Sequence, residues 1–254
     1  MLGAFQVPPA MTPPRTRTRA PTQSRPQLTE SSQTNDRDTT LLARTAVSLE
    51  YASLIHTGHC PLGIYVIPSS NNLLVWDAVF FVHQGYYADS ILKFRLNFPG
   101  NYPEAPPTVT FLTDVFHPLI ASPSGSFNLA ARFRPWRPKE HHAFDILHWI
   151  KVAFKKHALD KFTEPDCFNK EAYRLPYHDS TQSFAALATQ SATLSQSESA
   201  LFDLDHPSPL GNVASEIVFK KMTPDGLRQQ RMKVGLEDWE DNSTENIASM
   251  TKRA

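Results

Sequence analysis

Tyr102-Pro103-Glu104-Ala105-Pro106-Pro107, then Phe116-His117-Pro118-Leu119, then Gly125-Ser126-Phe127-Asn128-Leu129 and Trp136-Arg137-Pro138 are the elements around which this chain is organised. Proline fixes its own φ and pushes the residue before it out of the helical region, so Tyr102 to Pro107 is a stiff crossing that no sheet can absorb. X-Pro bonds are also the ones at which a cis peptide is cheap. Beyond the crossing, Asp114 to Lys139 carries four prolines and little periodicity. Irregular stretches of this length inside a compact domain are uncommon and often functional.

Working outward from that stretch, the residues before it read as strands. Gly63 to Pro68 (GIYVIP) is a short β-branched and aromatic run, and Leu73 to Val82 (LLVWDAVFFV) is a longer, nearly continuous apolar one. Ser90 to Phe98 alternates, with Ile91, Lys93, Arg95 and Asn97 on one face and Leu92, Phe94, Leu96 and Phe98 on the other. Thr108 to Leu112 (TVTFL) makes a fourth strand, and Gln84-Gly85-Tyr86-Tyr87 a turn. Four strands with short links predict an antiparallel meander. Ahead of them, Leu41, Leu42, Thr45, Ala46, Leu49 and Ala52 recur at helical steps, with Asp38 or Thr39 available as an N-cap. After the irregular stretch, a helix is predicted from Glu140 to about His157. Phe144, Leu147, Ile150, Lys151 and Phe154 share one face, and Lys155, Lys156 and His157 sit in the last turn, where cations suit the dipole. A helical segment from about Asn169 to Leu175 and another from about Thr181 to Leu201 follow.

The ends differ in texture. Residues 1–40 are rich in Pro, Thr, Ser, Gln and Arg and cannot bury enough surface to offset ordering entropy, so a disordered tail is expected. The folded domain is expected over 41–204, and a mostly flexible tail over 205–254. With 25 basic and 25 acidic residues the chain has no net field to attract nucleic acid or an anionic membrane. Two cysteines, Cys60 and Cys167, rule out a disulfide-stapled framework and fit a reducing compartment. No apolar run approaches the roughly 20 residues that span a bilayer. Pro8, Pro9, Pro13, Pro14, Pro21 and Pro26 would break the amphipathic helix of an organellar leader. A cytoplasmic protein without membrane insertion is therefore expected.

The order helix, four-strand meander, long irregular loop, helix and C-terminal helices resembles the α+β ubiquitin-conjugating-enzyme fold. The residues carry the resemblance further. Tyr102, Pro103, Pro106 and Pro107 match that family's Tyr-Pro-x-x-Pro-Pro element. His117 and Pro118 match the start of its His-Pro-Asn, and Trp136 and Pro138 its Trp-x-Pro. The related RWD domains share only the Tyr-Pro piece. The match runs from about Leu41 to Cys167, with a looser continuation to about Leu201.

Conjugation proceeds by thioester exchange on a cysteine thiolate. The resemblance places Asn128 at the cysteine position of Gly-x-x-Cys-Leu. It places Leu119 at the His-Pro-Asn asparagine, whose carboxamide is held to stabilise the oxyanion. Losing one such donor costs roughly 2.7–4 kcal/mol of barrier, and an amide is no substitute for a thiolate. Asn128, Leu119 and His117 thus form a degenerate site, and no catalysis and no cofactor are expected. Cys60 reads as a small buried residue. Cys167 follows the long helix, nearer the groove, but has no visible activating partner. His141, Asp145 and His148 lie at steps of four and three on one helix flank. Structural zinc takes four ligands, so an inert surface is the better reading and no metal is expected. Trp76, Phe80, Phe81, Trp136 and Trp149 read as packing rather than as platforms for nucleic acid.

Among branches of the fold that lack the cysteine, the chain is most similar to the Fused Toes/crossbronx (Akt-interacting protein) family. The similarity rests on Gly63 to Ser69, on Trp76 to Phe81 followed by His83 to Tyr86, and on Val115-Phe116-His117-Pro118-Leu119. Trp136-Arg137 and Ala200-Leu201-Phe202-Asp203 add to it. Gly235 to Trp239 resembles a Gly-Leu-x-Trp tail but departs from it by one residue. This likeness implies a non-catalytic subunit that binds Hook-type coiled-coil adaptors and a large helical partner, linking endosomes to dynein. The apolar C-terminal segments would be its docking surface. It also implies a peripheral place at endosomes or microtubules through those partners. The competing expectation is a ubiquitin-binding cofactor of an active conjugating enzyme, which would need a ubiquitin-contacting patch on the sheet or a flanking helix.

Overall fold

The computed structural model describes residues 30–175, 180–202 and 215–236. Expectations for 1–29, 203–214 and 237–254, including the end of the Gly235–Trp239 element, lie outside the described residues. The chain separates after Asp38, and the architecture given below belongs to Thr39 onward.

Helix α1 is assigned to Glu30–Ser53, so Asp38 and Thr39 lie inside it rather than capping it. No proline stands between Pro26 and Pro61 to stop the helix earlier. Ala43 and Val47 point into the core, while Leu42 and Leu49 stay exposed.

The sheet is antiparallel, in the order β1 (Ile64–Pro68), β2 (Val75–Phe81), β3 (Ile91–Asn97), β4 (Thr108–Phe111) and β5 (Ser126–Phe127). The first four strands are the expected meander. The fifth lies inside the stretch expected to be irregular, and at two residues it is too short to show a period. It exists because Gly125 turns at φ +69° with its Cα pressed against the Phe111 carbonyl; a Cβ there would come within 2.1 Å of that oxygen. The Phe111 N–H donates to the Gly125 carbonyl at 2.8 Å, and Val109 and Thr110 pair with Phe127 and Ser126.

One sheet face presents Ile64, Ala78, Phe80, Leu92, Phe94, Leu96, Val109, Phe111 and Phe127 to a single core. Helix α2 (Ala143–Ala153) contributes Ala143, Ile146, Leu147, Ile150 and Ala153 to it. The predicted helix over 140–157 is therefore shorter at both ends. Phe144 and Lys151 lie on its flanks rather than in the core stripe; Phe144 stacks on His59 at 4.3 Å. Lys155 is extended (ψ 143°) and caps a separate helix, α3 (Lys156–Leu159). Lys155, Lys156 and His157 accordingly do not close α2, and Lys151 is the basic residue of its last turn. Phe154 ends α2 by burial: its ring lies 4.5 Å from His117 and 5.0 Å from Tyr87.

The other end of α2 is held by Glu50 of α1. Its Oε2 accepts from the Ala143 N–H at 3.0 Å, one of the donors every helix start leaves unpaired. Its Oε1 accepts from the Tyr102 hydroxyl at 2.9 Å and faces His142 Nδ1 at 2.9 Å. Asp145 adds a bond from the His142 N–H at 2.9 Å. One carboxylate thus ties α1, the Tyr-Pro crossing and α2 together. Glu50→Ala is expected to lose about 2–3 kcal/mol, the value of charge-assisted hydrogen bonds with a buried donor left behind. Glu50→Gln should lose less. Urea unfolding of both variants checks the order.

After α2 come α4 (Lys170–Arg174), α5 (Thr181–Ser195) and α6 (Glu198–Phe202), the last two replacing one predicted helix over 181–201. The predicted loose tail contains structure as well. Residues 215–222 form an irregular segment that meets the sheet, and α7 (Pro224–Lys233) follows, capped by Thr223.

Those C-terminal pieces explain a departure from the alternation in β3. A sheet with one wet face should read buried, exposed, buried, yet β2 and β3 are buried along their whole interiors. Lys93 and Arg95, on the face opposite the core, are only 4% exposed. That outer face is covered by the chain's own C-terminal residues.

Candidate functional site

The elements that follow Pro107 converge on one region. His117 is completely buried among Tyr87, Phe127, Phe154 and Phe162. Its Nε2 meets the Ala153 carbonyl at 3.1 Å, and the Leu119 N–H donates to its Nδ1 at 3.1 Å. The imidazole is therefore neutral with the proton on Nε2. Burial lowers its pKa to about 4, against a smaller upward pull from the Ala153 carbonyl. The Tyr87 hydroxyl donates to the Phe116 carbonyl at 2.7 Å, and the Asn169 N–H to that of Pro118 at 3.0 Å. The His-Pro-Leu segment is thus bolted to the β2–β3 link, to the end of α2 and to the start of α4.

The upstream motif closes on itself in the same way. Trp136 Nε1 donates to the Pro103 carbonyl at 2.8 Å, and its ring lies near Tyr102 and Phe133. The Tyr102–Pro103 bond is cis. Pro107 and Pro118 are buried, Pro103 and Pro138 half-buried, and Pro106 exposed. Tyr102 and Trp136 are packing residues with their polar atoms satisfied, as is Trp76, whose Nε1 donates to the Leu73 carbonyl; Phe80 is a core ring.

Asn128 and Leu119 are direct neighbours: the Asn128 N–H donates to the Leu119 carbonyl at 2.9 Å. Leu119 is fully buried and Asn128 is 6% exposed. Both ends of the carboxamide are used. Its Oδ1 accepts from the Ala130 N–H at 3.0 Å and caps a short 3-10 turn, Leu129–Ala131. Its Nδ2 donates to the Asp166 carbonyl at 2.8 Å. A second 3-10 turn, Glu164–Asp166, is thereby pinned over the Asn128 side chain.

Cys167 follows that turn and is 5% exposed. Burial, together with the negative charges of Asp166 and Glu164, pushes its thiol up to about 12. At neutral pH the sulfur is protonated, with Sγ 3.4 Å from the Thr163 carbonyl. Cys60, in the loop before β1, also has its pKa raised by burial and points its thiol at the Ile64 carbonyl. For both sulfurs the shift runs away from the thiolate.

His141, Asp145 and His148 are not brought together. His141 Nδ1 accepts from the Arg137 N–H, Asp145 closes the start of α2, and His148 Nε2 meets the Gly58 carbonyl at 2.7 Å. Among the described residues no three side chains are grouped as metal ligands. No helix among them is long and apolar enough to cross a membrane. The residues that reading the sequence missed are Glu50, Asp166 and the sheet-covering Glu216 and Phe219. Only Glu50 left a trace, as a lone acid one helical turn from Val47 on the inward face of α1.

Comparison with known proteins agrees with this architecture. A family profile described as ubiquitin-conjugating enzyme matches residues 48–192. A crossbronx-like protein of Drosophila mojavensis is 32% identical over 187 residues, covering 70% of each chain. The AKT-interacting protein of Danio rerio is 33% identical over 183 residues, 68% of this chain and 60% of that one. A crossbronx-like protein of Drosophila virilis is 40% identical over 94 residues, but these span only 36% of this chain and 37% of its own. The sheet, the flanking helices and these matches agree, and the chain belongs to the crossbronx/AKT-interacting (Fused Toes) family, within the ubiquitin-conjugating-enzyme fold.

Proposed function

We propose that this chain is a non-catalytic protein-interaction subunit, the ubiquitin-conjugating-fold member of a Fused Toes–Hook-type adaptor assembly that couples endosomes or other vesicles to dynein transport. The observation that carries the first half is the state of Asn128. Thioester exchange needs a thiolate open to the incoming carboxyl terminus. At that position stands a buried carboxamide whose oxygen and nitrogen are both committed to backbone partners. The neighbour that would stabilise an oxyanion is Leu119, with no side-chain donor.

The second half rests on family membership and on exposed apolar side chains suited to helical partners. Leu41, Leu42 and Leu49 on α1 and Leu227 and Met232 on α7 are each at least half exposed. The alternative, a ubiquitin-binding cofactor, would need a ubiquitin-contacting patch on the sheet or a flanking helix, and the outer sheet face carries Glu216 and Phe219 of the chain itself.

Full-length chain used as bait in cell extract should recover Hook-type coiled-coil proteins. Recovery of ubiquitin or an active conjugating enzyme in their place would reverse the assignment. A chemical test is independent of partners. Asn128→Cys, incubated with activating enzyme, ubiquitin and ATP, is expected to form no reductant-sensitive adduct. A thiol there would lie under the Glu164–Asp166 turn, against the Asp166 carbonyl and without an oxyanion donor. An adduct from this variant would mean that the site is intact but for one side chain.

A further inference from the structure

The outer face of the sheet carries a row of charged side chains. Asp77 and Arg95 stand opposite each other on β2 and β3, and Val79 stands opposite Lys93. Asp77 Oδ1 accepts from Arg95 Nε at 2.7 Å, with side chains 1% and 5% exposed. Charged side chains on an outer sheet face are normally solvated. Asp77 and Arg95 lie beneath the segment that starts at Ser215, and Lys93 Nζ donates to the Ala200 and Leu201 carbonyls at 3.1 and 2.8 Å.

The contacts of that segment resemble those of a bound peptide. The Glu216 N–H donates to Asp77 Oδ2 at 2.7 Å. The Glu216 carboxylate sits in a small cradle of donors, where its Oε1 accepts from Ser69 Oγ (3.1 Å), Ser70 N–H (2.9 Å) and Ser70 Oγ (2.8 Å). Three residues on, the Phe219 ring meets Phe81, and Lys93 Nζ lies 5.5 Å from its centroid. Lys221 Nζ then reaches Glu198 at 2.6 Å. Between these anchors Val218 is 61% exposed, and no residue of the segment is buried. Few buried apolar contacts and exposed polar bonds are the marks of an element that opens locally at low cost.

We infer that residues 215–222 are a detachable strap seated in a peptide-binding face of the sheet. That face is suited to an extended segment of another protein with the same spacing, an acidic residue three before an aromatic. Ser69 and Ser70 read the carboxylate, Asp77 reads the backbone N–H of the acidic residue, and Phe81 with Lys93 reads the ring. The half-exposed Tyr65 and Ile67 on the neighbouring edge strand extend the face once the strap lifts. In the closed state the tethered strap competes at an effective concentration of about a millimolar, so an external peptide must displace it.

The test uses the full chain and a fluorescein-labelled peptide of the sequence 215–222, followed by anisotropy. Glu216→Ala with Phe219→Ala removes both anchors from the strap and leaves the face untouched. This double variant should bind the labelled peptide at least about tenfold more tightly than the unaltered chain. Adding Ser70→Asp sets a carboxylate against the peptide's glutamate and should abolish the binding. A peptide with alanine at its glutamate and phenylalanine should bind neither protein. Hydrogen exchange at the residue-216 amide reports the strap itself, which should exchange faster in the double variant. If that amide opens and no peptide binds, the face is not a recognition surface. If it stays protected, Glu216 and Phe219 are not the latch. Either result overturns the inference.

Discussion

Replacing Asp77 by Ala is expected to cost about 3–5 kcal/mol of folding stability, the usual penalty for removing one partner of a buried ion pair. Asp77 is 1% exposed, and its two oxygens face Arg95 Nε and the Glu216 N–H. The substitution takes the carboxylate from a guanidinium that stays buried on the same face, and it removes the acceptor that holds the strap. The measurement is urea unfolding, with a fall in Tm of roughly 10 °C as the companion reading. Asp77→Leu combined with Arg95→Met should recover part of the loss, because apolar side chains of similar volume need no partner. A loss below about 1 kcal/mol for Asp77→Ala would mean that the outer face is wet, as the position and charge of Lys93 and Arg95 in β3 suggest it should be.

Acid should destabilise the protein through His117 by about 3 kcal/mol, all of it between pH 6.5 and pH 4. In the folded state burial lowers the pKa of this imidazole from 6.5 to about 4. In the unfolded chain it returns to the ordinary value. Between those limits the unfolded state takes up a proton that the folded state refuses. Stability is therefore complete above pH 6.5 and is lost as the pH falls toward 4; each unit of difference corresponds to about 1.4 kcal/mol. Carboxylates titrate in the lower part of this window, so the diagnostic quantity is a difference between proteins. His117→Asn cannot take up the proton, although it is less stable at neutral pH because it spans the Leu119 and Ala153 backbone groups poorly. Its stability should fall less steeply from pH 7 to pH 5 than that of the unaltered chain. Parallel slopes would show that His117 is charged or solvent-linked in the fold.

Both results concern residues whose surroundings come from distant parts of the chain, and there the legibility of the sequence ends. The strands were readable because β-branched and aromatic runs at Ile64–Pro68, Val75–Phe81, Ile91–Asn97 and Thr108–Phe111 are local signals, bounded by Gly and Pro. The Tyr-Pro, His-Pro and Trp-x-Pro elements were readable because proline and aromatic residues at fixed spacing act through their own backbone and their near neighbours. Asn128 and Leu119 were visible as residue types that lack a thiolate and a side-chain donor.

Tertiary structure alone decided the remainder. Helix α2 stops at Ala153 without Gly or Pro, because His117 takes the last carbonyl and the core takes Phe154. Whether Cys167 could act as a nucleophile depended on burial and on the charges of Asp166 and Glu164, which together hold the thiol protonated. Lys93 and Arg95 carry the periodicity of a solvated face, and nothing within ten residues of them says otherwise. Their burial comes from residues more than a hundred positions later, and contacts at that separation leave no periodic trace in the strand they cover.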